Sequence, residues 1–283
     1  MQWTVGRVKI TNVVEIGATG GTRFILPQAT PEEAQKLPWL VPYYANAEGR
    51  LRLNVQSWIV ETPTNRIIVD TCIGNGKTNR SVPIWNNLDK PFLSDLAAAG
   101  YPAETIDTVI CTHLHVDHVG WNTTLAGGKW MPTFANARYL FGKTEYNYWA
   151  AHSPAGEHKA VFEDSVQPIV DAGRADLIGS DHRIGGEVSL IATPGHSPGH
   201  MSVLVSSDGQ QALLTGDVAH HPCQMAHLDW SSTADSDQAK SAKTRRDLFG
   251  RFADTSTLVI GGHFSAGHIK RDGEAFRFVA LQS

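Results

Sequence analysis

Residues 112–121 read Thr-His-Leu-His-Val-Asp-His-Val-Gly-Trp, and four side chains able to bind a metal, His113, His115, Asp117 and His118, fall within six positions. Imidazole and carboxylate suit zinc and its neighbours in the first transition row. A lone histidine is usually a surface or hydrogen-bonded residue, and a His-x-His pair arises often by chance. Three histidines and an aspartate at this spacing point to metal binding. In an extended segment His113 and His115 project to one side. Asp117 and His118 then fall on another, so one stretch can face two adjacent metal positions.

Such ligands need a rigid element to present them. The preceding run, Ile106-Asp107-Thr108-Val109-Ile110-Cys111, is short, β-branched and apolar, which predicts a buried strand. The ligand residues are too polar to continue into a core. The expectation is a strand end opening into a loop, with the ligands on that loop and at the start of the next helix.

The chain has 283 residues, 41% hydrophobic and 18% charged, enough for one large domain or two small ones. Its net charge of -4 and lack of a long basic run argue against nucleic acid as a partner. Cys72, Cys111 and Cys223 are too few and odd in number for a disulfide framework. Cys111 reads as a small buried residue, whereas Cys223, just after His220 and His221, is weighed as a further ligand. Residues 1–7 lack the basic-then-apolar pattern of a signal peptide, and no apolar run approaches transmembrane length. The expectation is a cytoplasmic protein with no membrane partner.

The other elements follow from periodicity. Residues 5–16 predict an opening strand. Residues 17–49 form a long Gly-, Pro- and aromatic-rich segment with Phe24, Trp39, Tyr43 and Tyr44; a lid or wall over a site, a dimer contact and a wrap packed on the surface are its open readings. Residues 53–61 and 66–70 predict a hairpin joined by Thr62-Pro63-Thr64-Asn65. Residues 91–100 predict a helix with Phe92, Leu93, Leu96 and Ala97 inward and Gly100 at its end. A strand is expected at 137–141, a helix from 144 to 151, and helical spacing over 158–172. Strands are expected at 187–192, 200–206 and 211–215, the last two joined through Asp208-Gly209. A charged amphipathic helix at 236–252, a strand at 257–260 and a last strand at 275–280 complete the pattern.

The stretch around His113 resembles the His-x-His-x-Asp-His signature of the metallo-β-lactamase-fold hydrolases. That family needs a His, an Asp and a His downstream, each at a strand end. His196 in Thr193-Pro194-Gly195-His196-Ser197, Asp217 in Thr215-Gly216-Asp217 and His263 in Gly261-Gly262-His263 stand in that order, each after an apolar run. The strand ending in Asp70-Thr71-Cys72-Ile73-Gly74 resembles the family's first motif, whose aspartate orients the metal loop. The resemblance covers nearly the whole chain. It implies an α/β (α+β) fold, a four-layer αββα sandwich, as one domain over residues 1–283.

It also implies two divalent metal ions, zinc by default, with manganese, iron or cobalt accepted by the same ligands. His113, His115 and His196 would hold one, Asp117, His118 and His263 the other, and Asp217 would bridge. The implied chemistry is hydrolysis by a metal-bridging hydroxide, since a bound water can ionise near pH 7, with Asp117 handling a proton. Asp217 stands where β-lactam-hydrolysing members commonly carry a Cys, and the tail after His263 is too short for the helical domain of glyoxalase II relatives. The branch that remains contains lactonases and methyl-parathion-hydrolase-like enzymes, which the tail 262–269 resembles. Quorum-quenching lactonases carry a Tyr three residues after the bridging Asp; His220 stands there, and a His can also donate to an oxyanion. His221, His200 and His268 are expected in supporting roles. The sequence reading is therefore a hydrolase of small lactones or carboxylic esters with Asp117 and His220 catalytic. Organophosphate triester hydrolysis is the alternative, and a non-catalytic metal-binding protein is the alternative of another class.

Overall fold

A computed structural model of the chain describes residues 1–153 and 155–281. Strands β1 (Gln2–Val5) and β2 (Val8–Thr19) form a hairpin. The single strand expected over 5–16 is thus split at its start. Gly6, at φ 56, takes the left-handed conformation that turns the chain there. Helix α1 (Pro31–Gln35) lies in the segment that follows, and β3 (Arg52–Glu61) and β4 (Arg66–Val69) form the expected hairpin. Then come α2 (Phe92–Ala98), β5 (Thr108–Cys111), a small hairpin of β6 (Thr123–Ala126) and β7 (Lys129–Pro132), and β8 (Arg138–Gly142). Helices α3 (Lys143–His152), α4 (Gly156–Val161) and α5 (Gln167–Asp171) precede β9 (Ala175–Ile178).

The second half supplies β10 (Arg183–Ile184), β11 (Val188–Ala192), β12 (Met201–Ser207), β13 (Gln210–Leu214), α6 (Cys223–Ala226), α7 (Gln238–Phe252), β14 (Leu258–Ile260), β15 (Gly267–Asp272) and β16 (Ala275–Ala280). One sheet runs β1-β2-β3-β4-β5-β8-β9 and the other β10 to β16 in chain order. Strands β4, β5, β8 and β9 pair in parallel in the first sheet, as β13 and β14 do in the second.

Strand alternation divides the core. Trp58, Val60, Ile67, Val69 and Ile110 face inward against Val203, Val205, Ala212, Leu214 and Ile260 of the opposite sheet. Their neighbours Ile59, Ile68, Val109 and Cys111 face outward under Phe92, Leu96, Val166 and Ile169. Leu204, Leu213 and Val259 face outward under Leu248, Phe249 and Phe252 of α7. The result is the four-layer αββα sandwich, in which period-two strands bury both faces.

Several local expectations are corrected. Ala97 is exposed, so α2 buries only Phe92, Leu96 and part of Leu93. The helical path over 158–172 is broken by a wide turn at Phe162–Val166, just before Pro168, which cannot donate a backbone hydrogen bond. Residues 20–50 pack on the outer face of the second sheet through Leu26, Ala29, Ala34, Leu40 and Tyr44, beside Met225, Phe264 and Phe278. They form a wrap with Phe24, Val41 and Tyr43 left exposed. Among the described residues no helix is long and apolar enough to cross a membrane.

The metal-type loop is stitched to the segment after β4. Thr71 N–H donates to His118 O (2.8 Å), Gly120 N–H to Cys72 O (2.8 Å) and Trp121 N–H to Thr71 O (2.7 Å). A Cβ on Gly120 would lie 1.7 Å from Ile73 O, a backbone atom with no freedom to retreat. Gly120→Ala should therefore destabilise the metal-free fold by about 1–3 kcal/mol, the usual cost of overpacking. Urea unfolding checks this, and an unchanged midpoint would contradict it.

Candidate metal centre

The seven residues singled out at the start converge where strands of both sheets end. His113, His115, Asp117 and His118 follow β5, and Asp217 and His263 follow the parallel pair β13 and β14. His196 lies in the loop between β11 and β12. The loop after β5 does not stay extended, and the single 3-10 turn that follows it, Gly120–Asn122, begins only after its last candidate ligand. The loop coils, His118 N–H donating to His115 O at 3.1 Å, and all four of its candidate ligands sit on the loop itself. Three groups can each hold an ion with donor atoms within 4.8 Å of one another: His113, His115 and His196; Asp117, His118 and His263; and His113, His118 and Asp217. A fourth group brings His220 to His196 and Asp217.

Hydrogen bonds on the outer side of the rings decide what the inner side offers. His118 Nδ1 donates to Asp70 Oδ2 at 2.9 Å. Thr112 Oγ1 gives its proton to Asp70 Oδ2 (2.8 Å), which leaves it to accept from His113 Nδ1 (3.1 Å). His196 Nδ1 donates to Asp235 Oδ1 (2.8 Å) and His263 Nδ1 to Asn54 O (2.8 Å). With their protons held outward, the neutral rings of His113 and His196 turn bare Nε2 lone pairs inward. His113 Nε2 and His196 Nε2 then face each other at 3.1 Å, and His115 Nδ1 lies 2.9 Å from His196 Nε2. The opposed lone pairs of His113 and His196 repel at that distance unless a cation binds both.

Of the five buried side-chain polar atoms without a hydrogen-bond partner among the described residues, three are here: His118 Nε2, Asp217 Oδ1 and His220 Nδ1. Buried polar atoms are otherwise satisfied almost without exception. The donor set therefore fits metal ions.

Electrostatics separates the two halves of the cluster. Burial, reinforced by the neighbouring imidazoles, holds His113, His115 and His196 well below the usual histidine range, against the pull of Asp217. Burial also opposes charge on His118 and His263. There, however, Asp217 and Asp117 outweigh it, with Asp70 adding to the effect at His118. His118 is held well above the ordinary value and His263 is raised to about 9. Burial pushes Asp217 up, but His263, His118 and His220 together hold it well below the normal carboxylate range.

Asp117 is the most open carboxylate of the group, 15% exposed, with Oδ2 3.6 Å from His263 Nε2 and Oδ1 3.7 Å from His118 Nε2. Asp70 sits at φ 57, a left-handed conformation that aims both oxygens at the loop, where they take Thr112 N–H (2.7 Å), Thr112 Oγ1 and His118 Nδ1.

His220 Nε2 lies 3.2 Å from Asp217 Oδ2, and its ring stacks on His263 at 5.5 Å and 9°. His221 points elsewhere: Nε2 donates to Tyr44 O and Nδ1 accepts Cys223 N–H, and burial holds it neutral, at about 4. His200 Nε2 accepts the Asp217 N–H at 2.9 Å, and burial lowers it likewise to about 4. His268 Nδ1 donates to Thr257 O, away from the cluster. Cys223, weighed as a ligand, is buried instead in the core over the second sheet, with its thiol pushed up to about 12.

The sequence profile of the metallo-beta-lactamase superfamily matches residues 50–263, a span that contains all seven converging residues. The chain belongs to this superfamily. N-acyl homoserine lactonase AiiA of Bacillus thuringiensis subsp. kurstaki is 26% identical over 184 residues, 60% of this chain and 66% of that protein. N-acyl homoserine lactonase AttM of Agrobacterium fabrum is 29% identical over 144 residues, 48% of this chain and 51% of that protein. The chain thus spans just under two thirds, or about half, of the length of these curated relatives. The crystal structure of hydrolase AbOPH in the beta lactamase superfamily superposes with a TM-score of 0.81 at 22% identity, covering 100% of this chain and 97% of the other. AidC, described as a dizinc quorum-quenching lactonase, gives 0.79 at 17% identity with the same coverage.

Three buried carboxylates escape a reading of the superfamily motifs. Glu15 of β2 takes Ile73 N–H, Gly74 N–H and Trp121 Nε1–H. Glu145 of α3 takes Leu114 N–H beside the metal-type loop, and Ser197 Oγ–H and Gly199 N–H beside His196, so it braces both ligand loops at once. Asp235 holds His196 from a loop far along the chain. Glu145 looks in sequence like any helix residue. Asp235 is hidden by Asp237, two positions on, which caps α7.

The unequal protonation has a measurable consequence. At pH 7 the metal-free protein carries protons on His118 and His263, which ions must displace, whereas His113, His115 and His196 bind without proton release. Calorimetric titration with a divalent metal in buffers of different ionisation enthalpy should show at least two protons leaving, those of His118 and His263 and in addition any from a metal-bound water that ionises, mostly with the second equivalent. Because the folded His263 value lies above the unfolded one of about 6.5, its contribution to metal-free stability is complete below that pH. That contribution is lost as pH rises through about 9. Metal affinity should rise over the same interval.

Proposed function

We propose that the chain is a metal-dependent hydrolase of ester bonds that opens small lactones or related carboxylic esters at a centre for two divalent ions, zinc by default. The observation that carries this reading is the set of seven converging donors, all but Asp117 buried, arranged as two three-residue groups on either side of Asp217. The curated relatives, named as N-acyl homoserine lactonases, support the substrate class.

His113, His115 and His196 would hold one ion, Asp117, His118 and His263 the other, and Asp217 would face both. Ions so held supply Lewis acidity and a water that ionises near neutral pH. Asp117, the most solvent-accessible of these carboxylates, is the group that can take a proton and pass it to the leaving alkoxide oxygen. Asp217 is too enclosed and too strongly held as carboxylate for that role. His220 carries an unpartnered Nδ1 and places Nε2 at the edge of the cluster, where its N–H can donate to the oxyanion formed as the ester carbonyl is attacked. Asp70 fixes the loop that carries four of the ligands.

A second reading, hydrolysis of aryl phosphotriesters, is favoured by the same residue. His220 is a compact donor on Asp217's own loop, and it serves a phosphoryl oxygen as well as a carbonyl.

Asp217→Asn removes the one carboxylate that faces both groups. It should weaken metal retention by at least ~100-fold, since even outer partners of ligands are worth 10–100-fold, and abolish turnover of the metal-loaded preparation. Elemental analysis beside an ester assay checks both, and undiminished turnover in a chelator-stripped sample would sink the proposal. His220→Ala should retain both ions and lose about 10²-fold in kcat, the scale of one oxyanion donor. A panel of short- and long-chain lactones, aryl esters and an aryl phosphotriester, compared by kcat/KM, should place a lactone orders of magnitude ahead. A lead for the phosphotriester would move the assignment to the second reading.

A further inference from the structure

Four of the five candidate ligand histidines, all but His115, are fixed from outside by a hydrogen bond, but the outer partners differ. His263 leans on a backbone carbonyl and His113 on a hydroxyl. Two histidines lean on carboxylates: His118 on Asp70, and His196 on Asp235. The Asp235 side chain is completely buried. Oδ1 accepts from His196 Nδ1 at 2.8 Å, and Oδ2 accepts Ser232 N–H at 3.0 Å with Arg245 Nη2 3.8 Å away.

Arg245, itself fully buried on α7, donates to Val218 O (2.9 Å), Leu228 O (2.7 Å) and Trp230 O (2.8 Å), and its Nη2 also donates to Ser241 Oγ (3.2 Å). One guanidinium thus stands beside the carboxylate behind His196 and also holds the residue next to Asp217. The backbone completes the attachment, Ser236 N–H donating to His196 O and Asp237 N–H to Gly195 O.

The geometry points to Asp235 as a positioning residue for the ion held by His113, His115 and His196, anchored by Ser232 N–H with the Arg245 guanidinium as a buried countercharge beside it. This rests on the metal-centre reading above. A carboxylate behind a ligand imidazole keeps the proton on the far nitrogen, leaves the near one free to bind and raises its basicity. No water is needed in the arrangement, since every partner is a protein atom.

Asp235→Asn tests the idea with almost no change in volume. The amide has one acceptor oxygen for two donors. Ser232 N–H and Arg245 both lie on the Oδ2 side, so the oxygen stays there and the amide N–H turns to His196 Nδ1. That contact favours the tautomer with the proton on His196 Nε2, the nitrogen that must bind. The same reversal underlies the loss when the aspartate of a catalytic triad is changed to asparagine.

The experiment counts metal per chain after dialysis against a chelator of intermediate strength, in wild type, Asp235→Asn, His263→Ala and the double variant, with the Tm of each metal-free protein. Wild type should keep two ions. Asp235→Asn should keep one and bind the second 10–100-fold more weakly. His263→Ala should keep the other one, and the double variant neither. Cobalt substitution gives an independent view, because only one of two visible-band environments should disappear in each single variant. Asp235→Ala, which leaves no misplaced donor, should fall between wild type and Asp235→Asn.

Two ions retained at wild-type affinity in Asp235→Asn would overturn the inference. So would a double variant that still keeps one ion, or an equal loss of both accompanied by a lower metal-free Tm, which would make Asp235 only a fold-stabilising residue. A wild-type protein that binds no metal would instead remove the metal-centre reading itself.

Discussion

The dominant constraint in this molecule is a set of buried imidazoles, four of them held by an outer hydrogen bond that turns the other nitrogen toward its neighbours. Asp70, Thr112, Asp235 and the carbonyl of Asn54 each secure an outer nitrogen. The inner nitrogens are left to confront one another and Asp217 in a largely buried space. Burying uncompensated polar and charged groups is costly, and a protein has two ways to meet that cost. One is to place protons there, as His118 and His263 do. The other is to place a cation there. The cluster is thus built for exchange between the two, and the surrounding structure keeps the donors from swinging away to find other partners.

That restraint explains the pattern of buried acids. Glu15, Glu145, Asp70 and Asp235 accept two or more N–H or O–H groups apiece, and each takes at least one from a stretch of chain far from its own. A carboxylate with several converging donors acts as a knot: it fixes loops that have no regular hydrogen bonding of their own. Glycines allow the knots to be tight, as at Gly199, where a Cβ would lie 2.2 Å from Glu145 N. Loops that would ordinarily be the mobile part of a fold are therefore among its most constrained parts.

What could be read from the sequence follows from how local each signal is. The strands β4, β5, β12, β13 and β16 were legible because apolar alternation and turn residues lie within a few positions of one another. Asp208 and Gly209, both at positive φ, turn the chain where expected. The loop after β5 was legible because its ligands are neighbours. His196, Asp217 and His263 were found only through resemblance, since nothing near them requires a ligand. The β6–β7 hairpin, β9 and β15 were missed; each is short, half-exposed or charged and takes its strand character from partners elsewhere. Glu145 and Asp235 were invisible for the same reason, because their meaning lies in groups 31 and 39 or more positions away.

The loop that carries Asp235 has a second attachment. Thr233 N–H donates to Ile25 O, and Thr233 Oγ1–H to Phe24 O. Phe24 and Ile25 belong to the outer wrap, which lies before residue 50, where the superfamily match begins. The support of a shared ligand is therefore borrowed in part from a region outside the shared pattern. Inherited chemistry and local embellishment meet within a few residues, so the wrap cannot drift in sequence or length as freely as its surface position suggests. A relative with a different wrap would need another way to hold the same histidine.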